Sequence, residues 1–393
     1  MKLRKVYMDH AAAMPVDLRV FEAMKPYFTG NYGNPSSSHS FGASARNALM
    51  ESREKVARLV GAEKPEGIIF TSGGTESNNL AIKGVAYRNE KKGNHIITTT
   101  IEHISVINIC KRLQKQGFEI TYVPVDKQGM VDPEKLKEEI TDKTILISVM
   151  YANGEIGTIQ PIREIGKIAQ ENQIYFHVDA VAAAGKIPIN VKEENINLLS
   201  ISSNDMYGPK GIGALYIKKG TRIQAVTQGG GQERGLRSGT ENIPSIVGMG
   251  KAAEIGQEEM VAEGRRLSRL RDKLIKGVLE TIERSYLNGH PTKRLPNNAN
   301  LRFSYIEGES LILGLDMLGI QVSSGSACTS KTLEPSHALL AIGLAHEEAH
   351  GSLVFTMGKQ NSEEDVNYVL EVLPGVVKRL RAMSPLTPKE MLR

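Results

Sequence analysis

The sequence is poor in residues that stabilise small or secreted proteins. Only two cysteines, Cys110 and Cys328, occur among 393 residues, and there is no tryptophan. Two cysteines in so long a chain exclude a disulfide framework and are typical of a protein that folds in a reducing compartment. We therefore expect a cytoplasmic protein.

Long apolar runs and blocks of basic residues are also missing. The first thirteen residues, MKLRKVYMDHAAA, contain no apolar segment of the kind found in signal peptides, and no stretch approaches the ~20 apolar residues of a membrane span. The formal net charge of +5 is spread along the chain. We therefore expect neither a membrane nor a nucleic acid as a partner.

The composition is that of a globular protein, with 40% hydrophobic and 24% charged residues. From about residue 16 to 220, helical patterns alternate with short runs rich in β-branched residues. Such alternation predicts an α/β fold with a mainly parallel sheet that is covered on both faces. The predicted strands lie at residues 68–70, 95–100, 119–125, 144–150, 174–179, 198–202 and 213–219.

The length predicts two domains. A Gly-rich loop at 229–242 precedes a long helical stretch that ends near residue 280, and strand and helix patterns follow at 298–306, 309–318 and 320–324. We predict a large domain over residues 15–265. A smaller α+β domain would consist of residues 1–14 and 266–393 and would carry the loop around Cys328.

The segment FTSGGTESNN, residues 70–79, places glycines between a strand and a predicted amphipathic helix. Glycines let the backbone approach an anion, and the helix N-terminus offers free N–H groups with positive partial charge. Thr75 adds a hydroxyl donor. The pattern is equally typical of an ordinary capped helix.

The segment HVDA, residues 177–180, places Asp179 at the end of a predicted strand. Ligands of α/β proteins bind at the carboxyl ends of strands, where such a carboxylate can pair with a pyridinium nitrogen. By itself, the pattern favours a helix N-cap.

The segment SSGSACTSKTLEPSH, residues 323–337, surrounds Cys328 with small residues. A thiol in such a loop is a candidate nucleophile, a sulfur carrier or a single metal ligand. Cys110 lies on the apolar face of a predicted helix, so we expect it in the core.

These segments together resemble the cysteine desulfurases of the NifS/IscS group, and the resemblance extends over nearly the whole chain. Its motifs are GNPSS (33–37), HSFG (39–42), FTSGGTESNNLAIKG (70–84), EH (102–103), NGEIGTIQP (153–161), HVDA (177–180), YGPKG (207–211), GGGQERGLRSGTEN (229–242), LNGHP (287–291), PNNAN (296–300), EGES (307–310), SSGSACTS (323–330), LEPSH (333–337) and EEAHGS (347–352).

The resemblance implies a fold-type-I, pyridoxal-phosphate-dependent transferase that forms a homodimer. It implies that sulfur from L-cysteine becomes a persulfide on Cys328 and passes to an IscU-type iron–sulfur scaffold protein. It also implies that His103 stacks on the pyridine ring and that Asp179 holds the ring nitrogen. The cofactor phosphate would be held by Gly74, Thr75, Ser202, residue 204 and Thr240 of the partner subunit.

One departure from the family pattern concerns the lysine that forms the internal aldimine. The family has Ser-x-His-Lys before YGPKG, whereas this chain has Ser202, Ser203, Asn204 and Asp205. A carboxylate cannot form a Schiff base. The resemblance therefore implies that Asp205 occupies the lysine position and Asn204 that of a phosphate-binding histidine.

Further departures concern the same predicted pocket. Gly154 and Ala182 replace a family Asn and Gln, Val354 replaces an Arg that binds the substrate carboxylate, and His10 begins an altered N-terminal motif. Each lost hydrogen bond should weaken cofactor binding by about 1 kcal/mol. Any pyridoxal phosphate would therefore be bound weakly or without a covalent link.

Three hypotheses follow. The chain is an active desulfurase that uses another amine, or a structural subunit that pairs with an active paralogue, or an iron–sulfur assembly partner without standard pyridoxal chemistry. The clustered departures favour the last, since the Cys328 loop and the C-terminal segment 376–386, similar to the family's scaffold-docking end, are retained. Cys328 would then carry sulfur or complete a 2Fe–2S cluster shared with the scaffold.

Overall fold

A computed structural model of the chain describes residues 4–325 and 335–392. The segment 326–334, and Cys328 with it, therefore lies outside the described residues. No helix of the described residues is long and apolar enough to cross a membrane.

The strands of the described residues fall into one large and two small sheets. They are β1 (Val6–Tyr7), β2 (Ile68–Thr71), β3 (His95–Thr99), β4 (Glu119–Val123), β5 (Thr144–Met150), β6 (Tyr175–Asp179), β7 (Leu198–Ser202), β8 (Gly213–Ile217), β9 (Ser285–Asn288), β10 (Asn298–Phe303), β11 (Ile320–Gln321) and β12 (Ser352–Thr356).

The described residues also form α-helices and a few short 3₁₀ turns. The α-helices are α1 (Leu18–Met24), α2 (Pro26–Thr29), α3 (Ser40–Leu59), α4 (Gly74–Asn89), α5 (Ile104–Gln114), α6 (Pro133–Glu138), α7 (Ile162–Glu171), α8 (Ile243–Thr281), α9 (Gly308–Asp316), α10 (His337–Ala341), α11 (His346–His350) and α12 (Glu363–Met383).

The large sheet has seven strands in the order β2-β8-β7-β6-β5-β3-β4. Strands β4, β3, β5, β6 and β7 run parallel, and β8 is antiparallel to both of its neighbours. The predicted α/β fold with a mainly parallel seven-stranded sheet is therefore confirmed.

Apolar residues cover both faces of this sheet. Neighbouring residues of β5, Leu146 and Ile147, belong to two different hydrophobic clusters, as do Ile69 and Phe70 of β2. Because successive side chains of a strand point to opposite faces, a sheet buried on both faces needs continuous apolar runs. These strands have such runs.

Helix α4 differs from the prediction, which was an amphipathic helix. Buried residues lie on several sides of it, among them Ser77, Asn78, Leu80, Ala81, Ile82, Val85 and Ala86. The helix contacts α5 and five strands of the large sheet, so small and apolar residues replace a polar face. Its N-terminus is thereby fixed firmly relative to the strand ends.

A second cluster of apolar side chains lies around the three-stranded sheet β12-β10-β9. It joins Val6 and Met8 at the N-terminus to residues of α8, α9 and α12. The 39-residue helix α8 runs across residue 265, where we predicted the domain boundary. The division into two domains stays a prediction.

Candidate active site

A cavity of about 520 Å³ opens at the carboxyl edge of the parallel strands. Met150, Asp179 and Ser202 are the last residues of β5, β6 and β7, and all three line the cavity. Parallel strands bring their carboxyl ends to one edge of a sheet, which is where α/β proteins bind ligands. The cavity volume is that of a site for a small cofactor or substrate.

The N-terminus of α4 forms one wall of the cavity. Gly74 and Thr75 line it, and Gly73 precedes the helix with a φ of 150°, which favours glycine. A Cβ atom on Gly74 would lie 2.5 Å from the Cγ2 atom of Val181, and one on Gly213 would lie 2.6 Å from the Cα of Gly73. Glycines therefore allow the helix start to pack against the turn that follows Asp179.

Asp179 is buried and held by two donors. Its Oδ2 accepts a 2.7 Å hydrogen bond from Nδ2 of Asn78, and its Oδ1 accepts a 3.0 Å hydrogen bond from the backbone N–H of Val181. The residues after Asp179 form turns, so the helix N-cap that the sequence favoured is wrong, and the carboxylate lines the cavity instead. The pairing of Asp179 with a ring nitrogen stays a prediction.

A chain of hydrogen bonds connects Asp179 to His103. Nδ2 of Asn78 also donates to the Ser105 hydroxyl at 3.0 Å, and that hydroxyl lies 2.7 Å from Nδ1 of His103. Nδ1 also accepts the backbone N–H of Ser105 at 3.2 Å. The neutral ring therefore carries its proton on Nε2. His103 lines the same cavity as Asp179.

Another part of the wall comes from the end of β7 and the 3₁₀ turn that follows it. Ser202, Asn204 and Asp205 line the cavity. Burial raises the pKa of Asp205, whereas the charge of Lys186 and hydrogen bonds from Ser202 and Asn204 oppose that rise. Position 205 thus offers a carboxyl group, not an amine, to anything bound in the cavity.

Lys186 is one of the lining residues to which the sequence analysis assigned no role. It lines the cavity, and its Nζ donates a 3.0 Å hydrogen bond to the carbonyl oxygen of Ala182. Burial lowers its pKa, and the carboxyl of Asp205 opposes that change. The sequence signal was modest: a lysine seven residues after Asp179, next to a glycine.

The two sides of the segment that carries Cys328 also reach the cavity. Ser323 and Gly325 line it from one side, and Ser336 and His337 line it from the other. Glu155 accepts a 2.7 Å hydrogen bond from the Ser336 hydroxyl, and His337 contacts the carbonyl oxygen of Glu102 at 2.8 Å.

Glu102 and Glu155 carry raised pKa values. Burial raises the pKa of Glu102 to about 8 and that of Glu155 to about 7. Oε1 of Glu102 accepts the Thr99 hydroxyl at 2.7 Å and the Met150 N–H at 3.0 Å, while Oε2 has no partner among the described residues. Both residues line the cavity, and sequence reasoning assigned neither a role.

Three positions that the sequence analysis interpreted as departures from the family pattern also line the cavity. Gly154, Ala182 and Val354 line the cavity, and a Cβ on Gly154 would lie 3.5 Å from that of Ala182, an ordinary contact. Val354 is buried and bonded through its backbone to Ser323. The cavity wall is therefore small or apolar at these three positions.

Thr240 and Cys110 lie elsewhere. Thr240 is exposed and is not among the residues that line the cavity of this chain. Cys110 is fully buried in an apolar cluster, and burial raises the pKa of its thiol to about 12. An uncharged, inaccessible thiol is inert, so Cys110 has the core position that we expected.

Comparison with known proteins identifies the class of this fold and site. Residues 6–369 match the family model "Aminotransferase class-V". A solved NifS-like protein superposes with a TM-score of 0.90 and 38% identity, covering 96% of this chain and 100% of the other.

Curated relatives narrow the class. Cysteine desulfurase IscS 1 of Archaeoglobus fulgidus is 59% identical over 380 residues, which is 97% of this chain and 99% of the relative. Cysteine desulfurase IscS of Methanosarcina thermophila is 57% identical over 387 residues, 98% and 95% of the two chains. The chain therefore belongs to the class-V aminotransferase family, in its NifS/IscS group of cysteine desulfurases.

Membership of this family implies pyridoxal phosphate as the cofactor, and most of the cavity suits it. A helix N-terminus, a fixed carboxylate and an imidazole line one space. The side-chain oxygens of Asn78 and Asn204 are buried without partners among the described residues, as expected of groups that face a ligand. The carboxyl group at position 205 does not suit a covalent link.

Proposed function

We propose that this protein handles sulfur in iron–sulfur cluster assembly, with Cys328 as the working residue. The observation that carries the proposal is the arrangement around the cavity. Residues on both sides of the Cys328 segment line it together with Asp179 and His103, namely Ser323, Gly325, Ser336 and His337. The relatives named cysteine desulfurase IscS support the same class of function.

In the proposed cofactor site, Gly74, Thr75, Ser202 and Asn204 bind the phosphate, assisted by Thr240 of the partner subunit in a homodimer. Asp179 bonds the ring nitrogen and His103 stacks on the ring. When bound, pyridoxal phosphate supplies an electron sink. Asp205 stands at the position of the family's lysine, so we propose that the cofactor is held without the standard covalent link at that position.

Cys328 then acts in one of two ways. As a carrier, its thiolate takes the terminal sulfur of a persulfide donor, which leaves the donor as a thiol and Cys328 as a persulfide; the scaffold cysteines take up that sulfur by the same exchange. As a ligand, the thiolate binds one iron of a 2Fe–2S cluster whose other ligands come from an IscU-type scaffold. Neither route needs an amine at position 205.

A second candidate function is that of an active cysteine desulfurase. L-Cysteine and the Cys328 thiol would give L-alanine and a Cys328 persulfide, which balances without an external oxidant. Two observations favour it. The relatives carry this activity in their names, and Lys186 places an amine in the cavity.

The test compares two cysteine variants with the wild type. We expect Cys328→Ala to abolish cluster formation on the scaffold when ferrous iron, a persulfide donor, an electron donor that reduces the transferred sulfur to sulfide, and the scaffold are supplied. Cys110→Ala is the matched control, because Cys110 is buried in the core, and it should leave the rate unchanged. Equal rates for the wild type and Cys328→Ala would overturn the proposal.

One further assay, of alanine production, distinguishes the two candidate functions. Alanine production from L-cysteine, with pyridoxal phosphate added, would establish the desulfurase reaction. Cluster formation that depends on Cys328, without any alanine, would leave the assembly-partner function alone.

A further inference from the structure

One basic side chain among the described lining residues stands out against the acidic groups of the cavity. Lys186 is the one lysine, and no arginine accompanies it in the part of the wall that the structure describes. The acidic groups that share the cavity are Asp9, Glu102, Glu155, Asp179 and Asp205.

The position of Lys186 is fixed by the turn after β6. Gly185 has a φ of 72°, and a Cβ atom there would lie 3.0 Å from Cγ of Met206. Gly185 therefore packs closely on the 3₁₀ turn that carries Asp205. Lys186 and Asp205 both line the cavity, and the charge of each acts on the other.

The surroundings of Lys186 suit a reactive amine. Lys186 and Asp205 are close enough for the charge of each to affect the pKa of the other. Burial lowers the pKa of Lys186, which increases the fraction of free amine at neutral pH. The Asp205 carboxylate is a nearby acceptor for the proton that a lysine ammonium must lose before it can act as a nucleophile.

We propose that Lys186, and not residue 205, is the amine that condenses with the aldehyde of pyridoxal phosphate in this cavity. The Nζ atom bonds to the aldehyde carbon, the amine gives up two hydrogens, and the aldehyde oxygen leaves with them as water. A carbon–nitrogen double bond replaces the carbon–oxygen double bond, and no oxidant or reductant is needed. The assignment rests on the cofactor cavity of the proposed function.

The position of Lys186 makes the link different from one formed at residue 205. Asp179 ends β6 and Lys186 lies on the segment that directly follows it, whereas residue 205 follows β7. The amine would therefore approach the cofactor from the turn that follows Asp179, the carboxylate proposed to bond the ring nitrogen. Asp205, left as a carboxylate, would act as a positioning residue for Lys186.

Reductive trapping tests the assignment. Purified full-length protein is incubated with one equivalent of pyridoxal phosphate, reduced with borohydride and digested, and the adduct is located by mass spectrometry. We expect a pyridoxyl phosphate group on Lys186 in the wild type. In Lys186→Met, the adduct at residue 186 should be no more abundant than in a control without cofactor. Lys186→Arg keeps the positive charge and should lose the adduct to the same extent.

The control is Lys210→Met. Lys210 is exposed, its Nζ donates to the carbonyl oxygen of Met14, and it does not line the cavity, so the adduct on Lys186 should persist. Circular dichroism of each variant reports folding. If Lys186→Met does not fold, the position of the adduct in the wild-type protein is by itself the test of the proposal.

The alternative outcomes are distinguishable. If equilibrium dialysis shows bound cofactor but the adduct lies on other lysines, or none forms, Lys186 is not the amine and the cofactor cavity stands. If no cofactor binds at all, both the cavity assignment and the role of Lys186 are overturned. The role of Cys328 in cluster formation is tested separately by its own variant.

Discussion

The carboxyl group of Glu155 contacts the chain on both sides of the Cys328 segment. Ser336 donates a 2.7 Å hydrogen bond to its Oε2, and a Cβ atom on Gly325 would lie 2.6 Å from its Cγ. The backbone carbonyl of Glu155 also accepts hydrogen bonds from Asn298 and Asn300 of β10. Glu155 therefore connects Gly325 and Ser336, which flank the Cys328 segment, to strand β10 of the three-stranded sheet.

The hydrogen bond between Glu155 and Ser336 should be measurable as a coupling energy between substitutions of the two residues. We expect Glu155→Ala to lower the free energy of unfolding by roughly 1–3 kcal/mol, because it leaves the Ser336 hydroxyl without its partner. Ser336→Ala should cost about 1 kcal/mol, and the double variant should cost less than the sum of the two. Urea unfolding of the four proteins measures the cycle. Strict additivity would show that the hydrogen bond does not anchor the segment.

Glu102 should make the protein less stable as the pH rises. The unfolded carboxyl has its ordinary pKa of 4.5, and burial raises the folded value to about 8. Between these values the folded state keeps a proton that the unfolded state releases. The stability contributed by neutral Glu102 is therefore fully present below pH 4.5 and is lost up to about pH 8, at no more than ~1.4 kcal/mol per pH unit.

The matched variant for this pH effect is Glu102→Gln. It keeps an acceptor for the Thr99 hydroxyl and the Met150 N–H but cannot ionise. We expect its unfolding free energy to depend less steeply on pH than that of the wild type, so the two curves converge at low pH. Parallel curves from urea titrations would place the pH dependence on other groups.

Two glycines of the cavity wall should respond oppositely to alanine. At Gly74 the new Cβ would lie 2.5 Å from a methyl group of Val181, whereas at Gly154 it would lie 3.5 Å from the Cβ of Ala182. We expect Gly74→Ala to destabilise the protein by roughly 1–3 kcal/mol through overpacking. Gly154→Ala should be neutral or stabilise it by about 0.4–1 kcal/mol. Thermal unfolding distinguishes them, and equal melting temperatures would refute the close packing at Gly74.

Asp205→Lys tests the interpretation that position 205 corresponds to the family's lysine. We expect the variant to bind pyridoxal phosphate covalently at residue 205, with a visible absorption band, because Asp179, His103 and the α4 N-terminus are already in place. Asp205→Met removes the carboxyl without adding an amine and is the control. If borohydride reduction of the Asp205→Lys protein leaves no adduct at residue 205, the two positions do not correspond.

Much of the fold could be predicted from local patterns. The runs at 144–150 and 198–202 are strands with those bounds, because continuous β-branched stretches have few alternatives in a buried parallel sheet. The meeting of Asp179 and Ser202 at one edge follows from the same topology. The short edge strands β1 and β9 were not predicted, since two to four residues carry too little pattern.

The parts of the site that the sequence did not reveal depend on contacts between distant segments. Lys186 reaches the cavity because Gly185 packs on Met206, and no spacing rule contains that contact. Asn78 bonds Asp179 across 101 residues, and Glu155 contacts Ser336 across 181 residues. Such contacts become visible only once the strands have been assembled.

Helix α8 has a consequence for how chains of this architecture can vary in length. Its 39 residues extend about 58 Å at 1.5 Å per residue, and it packs against α1 and α3 near the large sheet and against α12 near the small one. Inserting one residue at its middle would turn everything beyond by about 100° and rotate Leu267 and Leu274 out of their cluster. Gains and losses of residues should therefore accumulate in the connecting loops, while the register of this helix stays invariant.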